Sequence, residues 1–463
     1  MLKKFFIPLV IVLLGAVAAV YFYTAAPRAD AYDIKQAVPV ESFTLRNGLR
    51  VVVMPNDRIP AVEHALFVRV GAADDPYGKT GLAHYLEHLM FTGTKNFPEG
   101  EYDRTIARFG GEHNAYTTRD YTTYFVTIAK EHLPQVMAME ADRLEHLTLD
   151  TARAAREIPV IQEERKWRVD NRLTALLAEE MDAVQLLNHP YRQPMIGWPE
   201  DIERFTVKDA REFMARHYRP SNMVLVVAGD VEVAEVRKLA QQHYGPLRAG
   251  IQPKRQWPSE VLPSRSERRV ILRDARVEQS QLVRSYVAPT INFAESKDAM
   301  PLHVWAQYLG GGTTSVLYNE LVRNQKLATS VAVDYSDWFE GPSSVTIVAE
   351  PAQGVTIEQL ESALDQSLTR ALGTVPDSND IGRAKKLLKA ETIYAQDGLS
   401  PLAHVMGQLY ILGKDERVFY HWGDALDAVT PQQMMQAAKA VMVPSRQVTG
   451  VLLPTQTEGS HAP

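Results

Sequence analysis

Three side chains within five residues offer the first chemistry in this sequence: His84, Glu87 and His88 in GLAHYLEHLMF. On a helix, histidines at i and i+4 stand one turn apart on the same face, so both imidazoles can reach one metal ion. A zinc site with two neutral imidazoles needs a third protein ligand, and a catalytic one keeps a position open for water. The chain has no cysteine. Thiolate zinc sites, Fe–S clusters, disulfides and cysteine nucleophiles are therefore excluded, and the missing ligand must be a His or a carboxylate. A purely structural metal leaves Glu87 without a task.

The third ligand is sought in REIPVIQEERKW, where Glu157, Glu163 and Glu164 fall on the next long helical segment. Glu157 and Glu164 are seven residues apart, two helical turns, and share a face, whereas Glu163 points about 100° away. Spacing prefers the 157/164 pair without choosing between its members. Pro159 lies between them and either marks a first turn or kinks the helix.

The elements that must position these groups read as a mixture of strands and helices. Residues 42–54 alternate around Asn47-Gly48, a two-residue hairpin signal. Ala61 to Val70 is a strand, Gly81 to Met90 a helix, and His113 to Ala129 two strands turning near Arg119-Asp120. A helical stretch follows from about Ala152 to Gln185, then a helix from Lys208 to His217 and a strand at Met223 to Val227. Residues 245–266, with Pro246, Pro253, Pro258 and Pro263, read as a linker between a zinc-binding half, 32–244, and a second half, 267–455, with 456–463 as a tail. The halves echo each other. FTVKDAREFMARHYRP and TPQQMMQAAKAVMVP each run from a threonine (Thr206, Thr430) through a helix to a proline (Pro220, Pro444) and into an apolar strand, at an offset of 224 residues. The fold class is α+β, two related domains in tandem.

Composition narrows the partners. With 45% hydrophobic and 23% charged residues the chain is globular. Its 50 Lys plus Arg against 56 Asp plus Glu give a net charge of −6, no basic field for phosphate backbones, so nucleic acid is not an expected partner. Lys3 and Lys4 precede an apolar run, residues 5–23, long enough as a helix to cover about 28 Å. Residues 1–31 therefore read as a signal peptide or an uncleaved N-terminal membrane anchor, with Ala29-Asp30-Ala31 as a cleavage site in the first case. Either way the rest of the chain is exported: periplasmic and anchored to the inner membrane, or secreted.

H-x-x-E-H followed 76 residues later by the glutamate of an E-x6-E pair resembles the pitrilysin/insulinase family of inverted zincins, near its bacterial mitochondrial-processing-peptidase-like branch. The resemblance extends through NAYTTRDYTTYF, HPYRQPMIGWPEDI, YRPSNMVLVVAGD and LGGGTTSVLYNEL. It implies two homologous α/β-roll domains with mixed, mostly antiparallel sheets and helices packed on one side. It implies one Zn2+ per chain on His84, His88 and Glu164, with Glu87 as the base and Glu157 orienting the site. Asn114 and Ala115 match the edge-strand positions that pair with a peptide substrate's backbone.

The second half departs from the active pattern. Where the family commonly has an arginine after Glu-Leu and a tyrosine seven residues later, this chain has Val322 and Thr329; Arg323 is one place, about 100°, off. The sequence thus points to a zinc endopeptidase acting on peptides or unfolded segments, completed by a homologous subunit that supplies the missing Arg and Tyr. The alternative is a zinc-retaining, weakly active processing or assembly subunit of a larger complex.

Overall fold

The computed structural model describes residues 39–260, 266–294, 296–395 and 398–455. The N-terminal segment 1–31 with its apolar run, part of the 245–266 linker and the 456–463 tail lie outside the described residues. Among the described residues no helix is long and apolar enough to cross a membrane.

Strands β1 (Glu41–Thr44), β2 (Arg50–Pro55), β3 (Ala61–Val68), β4 (Glu112–Thr117), β5 (Thr122–Ala129) and β6 (Met223–Gly229) form one sheet in the order β1-β2-β6-β3-β5-β4. Strands β7 (Arg269–Asp274), β8 (Gln281–Ala288), β9 (Ala328–Tyr335), β10 (Ser343–Pro351) and β11 (Gln447–Pro454) form a second, β7-β11-β8-β10-β9. Apart from β1 the two orders are the same. In each sheet the last strand of its half pairs in parallel with the first long one (β6 with β2, β11 with β7), and all other pairs are antiparallel. The repeated capping motif is present in both halves: Thr206 accepts from the Asp209 N–H and Thr430 from the Gln433 N–H, each starting an eleven-residue helix that leads into β6 or β11.

Helices used below are α1 (Leu82–Leu89), α2 (Leu133–His146), α3 (Thr151–Arg165), α4 (Leu173–Gln185), α5 (Ala299–Gly310), α6 (Ser378–Ala395) and α7 (Leu399–Ile411). Two expectations are corrected. The single helical stretch from 152 to 185 is two helices, because a π-turn at Lys166–Asp170 and Asn171 redirect the chain between α3 and α4. The hairpin loop has three residues rather than two: Leu45 donates to the Leu49 carbonyl, and Gly48 takes the left-handed conformation (φ 95°) of a bulged turn. Asn47, instead of facing water in the turn, is buried and donates to the carbonyls of Tyr244 (2.7 Å) and Leu247 (3.2 Å).

Each half packs its own helices on one side of its sheet, as expected, and the opposite half covers the other side. One face of the first sheet packs on α1, α2 and other helices of its own half. Its other face, with Val52, Met54, Ala65, Phe67, Val224 and Val226, is covered by Leu402, Ala403, Met406 and Leu409 of α7, from the second half. The exchange is reciprocal, since Leu177 and Met181 of α4 cover Val270, Leu272, Val448 and Leu452 of the second sheet. A β-carbon on Gly407 would lie 2.0 Å from the Phe67 ring, and one on Gly450 2.2 Å from Met181 Sδ, so glycine sets the close approach in both. The central strands β2, β3 and β6 of the first sheet are thereby buried on two faces, which explains why β2 and β6 are near-continuous apolar runs rather than alternating ones.

Candidate metal centre

Helix α1 is buried almost all round, with Leu82, Ala83, Tyr85, Leu86 and Leu89 in the core. Gly81 opens it in the left-handed region (φ 86°), where a β-carbon would meet the Ile196 carbonyl at 2.1 Å. Buried Asp75 accepts from the Gly81 N–H (2.7 Å) and the Ala83 N–H (2.8 Å), satisfying orphan donors at the helix N-terminus. Burial pushes the Asp75 carboxyl well above its usual range, against these hydrogen bonds. Helix α3 starts on Asp150, which accepts from the Arg153 N–H, and runs unbroken through Pro159. The Tyr85 hydroxyl donates to the Ala154 carbonyl at 2.8 Å and ties the two helices together.

This packing brings His84, His88 and Glu164 to one point. Glu164 Oε2 lies 3.1 Å from His88 Nε2 and 3.5 Å from His84 Nε2, and the three donor atoms are all within 4.8 Å of one another. Ligand atoms about 2.0–2.1 Å from a tetrahedral zinc are about 3.3 Å apart, so the two separations from Glu164 fit that ion. Of the three glutamates weighed, Glu157 stands behind His88, its Oε2 3.4 Å from Nδ1. Glu163 points into solvent and pairs with Lys166 at 2.6 Å, away from the cluster. Burial opposes charge on His88, but hydrogen bonds to Glu157 and Glu164 overcome it and push its pKa up to about 10. Glu164 is held far below the usual carboxylate range by the two histidines, against its own burial. The cluster is a place for positive charge.

Glu87 is on the same helix, nine-tenths buried, and its Oε2 accepts from Thr117 Oγ1 at 2.6 Å. Thr117 was not among the residues singled out in the sequence. Its signal was the alternation of NAYTT, which puts Ala115 and Thr117 on one face of a strand. Arg168 also went unremarked; it stands one turn beyond Glu164, its Nε 3.0 Å from Glu164 Oε1.

Asn114 and Ala115 lie on β4, the edge strand of the first sheet, paired only with β5 (Asn114 opposite Phe125, Ala115 opposite Tyr124). The Ala115 N–H is taken by Asn114 Oδ1 at 2.8 Å. Val322 and Thr329 are elsewhere. Val322 sits on a π-helical segment, Tyr318–Asn324, packed on the second core, and Thr329 is exposed on edge strand β9 with its hydroxyl 3.4 Å from the Glu350 carbonyl. Nor do the neighbouring candidates stand in. Arg323 is over the Tyr318 ring, and the buried Tyr335 hydroxyl donates to the Pro289 carbonyl at 2.7 Å.

Two topologically matching halves, one of them carrying H-x-x-E-H on a helix braced against a glutamate-bearing helix, define a metallopeptidase scaffold. Residues 50–197 match the model described as insulinase (peptidase family M16), and residues 204–388 match the M16 inactive domain. The chain belongs to the insulinase family, peptidase family M16. It is 29% identical over 377 residues to a zinc protease, PqqE, of Helicobacter pylori, covering 81% of this chain and 84% of that protein. A mitochondrial-processing peptidase subunit beta of Blastocladiella emersonii is 25% identical over 411 residues, 87% of this chain and 86% of its own. Among solved structures, a protease from Helicobacter pylori superposes with a TM-score of 0.82 at 26% identity, over 90% of this chain and all of that one.

Proposed function

We propose that this chain is a zinc-dependent endopeptidase that hydrolyses peptides or unfolded segments, with one Zn2+ per chain on His84, His88 and Glu164. The observation that carries the reading is the gathering of those three donor atoms within 4.8 Å of one another, two of them on the helix that carries Glu87. When bound, zinc lowers the pKa of a water molecule to near neutrality and polarises a carbonyl. Glu87 is the base: it takes a proton from the attacking water and returns it to the leaving amine, while Thr117 fixes its Oε2. Glu157 accepts from His88 Nδ1–H and keeps Nε2 free to ligate. The free edge of β4 around Asn114 and Ala115 takes an extended peptide as an added strand.

Val322 and Thr329 offer neither a guanidinium nor a phenol to a developing oxyanion. We assign that part to a homologous subunit with Arg and Tyr at these positions; a relative whose name makes it a subunit supports the assignment. The same two residues favour the second reading, a zinc-retaining chain of weak activity within a larger complex. The positive start and apolar run of residues 1–31 support an exported location, which membrane fractionation of the full chain and of a chain lacking those residues tests. For the activity, the purified full chain is assayed on an unstructured peptide, alone and with the product of a neighbouring gene encoding a relative. Weak cleavage alone and strong cleavage together support the endopeptidase. No cleavage in either case, with zinc bound, overturns it in favour of the second reading.

A further inference from the structure

The substrate strand is held from both faces by consecutive residues. On the zinc side Thr117 bonds to Glu87, and on the opposite side Tyr116 leaves the first half altogether: its hydroxyl is 2.8 Å from Nδ1 of His404, on helix α7 of the second half. The other imidazole nitrogen, Nε2, faces Glu63 Oε1 at 3.5 Å. Glu63 is completely buried on β3 and also accepts from Ser400 Oγ (3.0 Å) and Thr127 Oγ1 (2.5 Å). The Nδ1 contact with the tyrosine is a hydrogen bond, whereas Nε2 approaches the carboxylate without forming one. The rings of Phe67, Tyr116 and Phe125 enclose the imidazole, with centroids 5.7, 5.6 and 4.6 Å away.

Stability does not require this arrangement. The apolar side chains of α7 already dock the helix on the sheet, and a buried carboxylate among them carries a desolvation cost that a hydrophobic residue would not. Leucines and methionines attract without direction, however, whereas the Tyr116–His404 hydrogen bond sets where one hydroxyl stands. An edge strand with one neighbour has little else to fix the height and register of its free backbone groups, and a one-residue slip presents the wrong face.

We propose that His404 is a positioning residue for peptide binding: carried on α7 and enclosed by aromatic rings, it braces the substrate strand through Tyr116, so that docking of the second half sets the strand beside Glu87. This rests on the reading of β4 as the substrate strand, and the test separates the two. Full-length, zinc-loaded Glu87→Gln protein is titrated with a fluorescent unstructured peptide and with the same peptide carrying backbone N-methyl groups. The N-methyl peptide should bind more weakly, as strand addition demands. Tyr116→Phe and His404→Ala in that background should each weaken binding of the unmodified peptide about five- to tenfold, with zinc content unchanged and both variants folded at the assay temperature. His404→Asn, whose amide can accept near the Nδ1 position, should restore part of the loss. If N-methylation has no effect, the reading of β4 fails and the brace with it. If N-methylation weakens binding while the folded variants bind like the parent, β4 stands and the brace is overturned.

Discussion

The two halves are one topology used for different ends. The helix that follows the third long strand's position in each sheet is α1 in the first half and α5 in the second. Helix α1 spends one face on His84, Glu87 and His88, while α5 spends its surface on Leu302, Val304, Trp305 and Leu309, all fully buried. Helix α3 carries Glu164. At the 224-residue offset its counterpart on α6 is Leu388, packed in the second core. Among the described residues only the first half gathers side chains that could hold a metal ion. The fold supplies facing helices and an edge strand twice, and a few side chains decide which copy is equipped to hold a metal.

The sharpest way to break this comparison is to remove the site from the half that has it. His84→Ala, His88→Ala and Glu164→Ala should each strip zinc and lower peptide hydrolysis more than about a thousandfold, whereas Glu163→Ala should keep both; elemental analysis and initial rates decide. Glu87→Gln should retain about one zinc per chain yet lose roughly a hundredfold to ten-thousandfold in rate. Loss of zinc there would contradict its role as base.

A second set works on the other half. Val322→Arg with Thr329→Tyr should raise the rate of the isolated chain on the order of tenfold to a hundredfold, measured as kcat/KM, if those positions face the reacting carbonyl. No gain, with full activity in the parent, would place transition-state donors elsewhere in this chain. The exchanged helices give a structural counterpart. Gly407→Leu and Gly450→Leu, each driven into a side chain from the opposite half, should destabilise by about 1–3 kcal/mol in urea titrations. Equal losses would show the exchange to be symmetric in energy as it is in topology.

The smallest effect is expected from pH. Burial lowers His189 and His217 to about 4 each, so both are neutral when folded and take a proton on unfolding below 6.5. Their contribution is intact above pH 6.5 and falls as pH drops toward 4, by about 1–2 kcal/mol per histidine. His217→Phe should flatten that acid limb in unfolding curves recorded from pH 7 to 4; an unchanged limb would assign it to other groups.

Much of the metal centre was legible because it is local. His84 and His88 share a helix face by spacing alone, and seven residues put Glu157 and Glu164 on another. Strand and helix positions followed from alternation and capping, and Thr206 and Thr430 announced the duplication before any coordinate. What the sequence could not settle lies in contacts between distant segments. The distance from Glu164 to His88 depends on how α3 lies on α1, a packing to which Tyr85 contributes by reaching Ala154 across 69 residues. The alternating face of NAYTT was visible, but the acceptor of Thr117 and the partner of Tyr116 were not, since each lies on another element. Helices α4 and α7 have apolar faces in the sequence, but nothing local says that each covers the other half's sheet. Periodicity fixes which face of an element is buried; only the packed chain decides against what, because burial attracts without direction and the partner is chosen by shape and by the few polar bonds that fit.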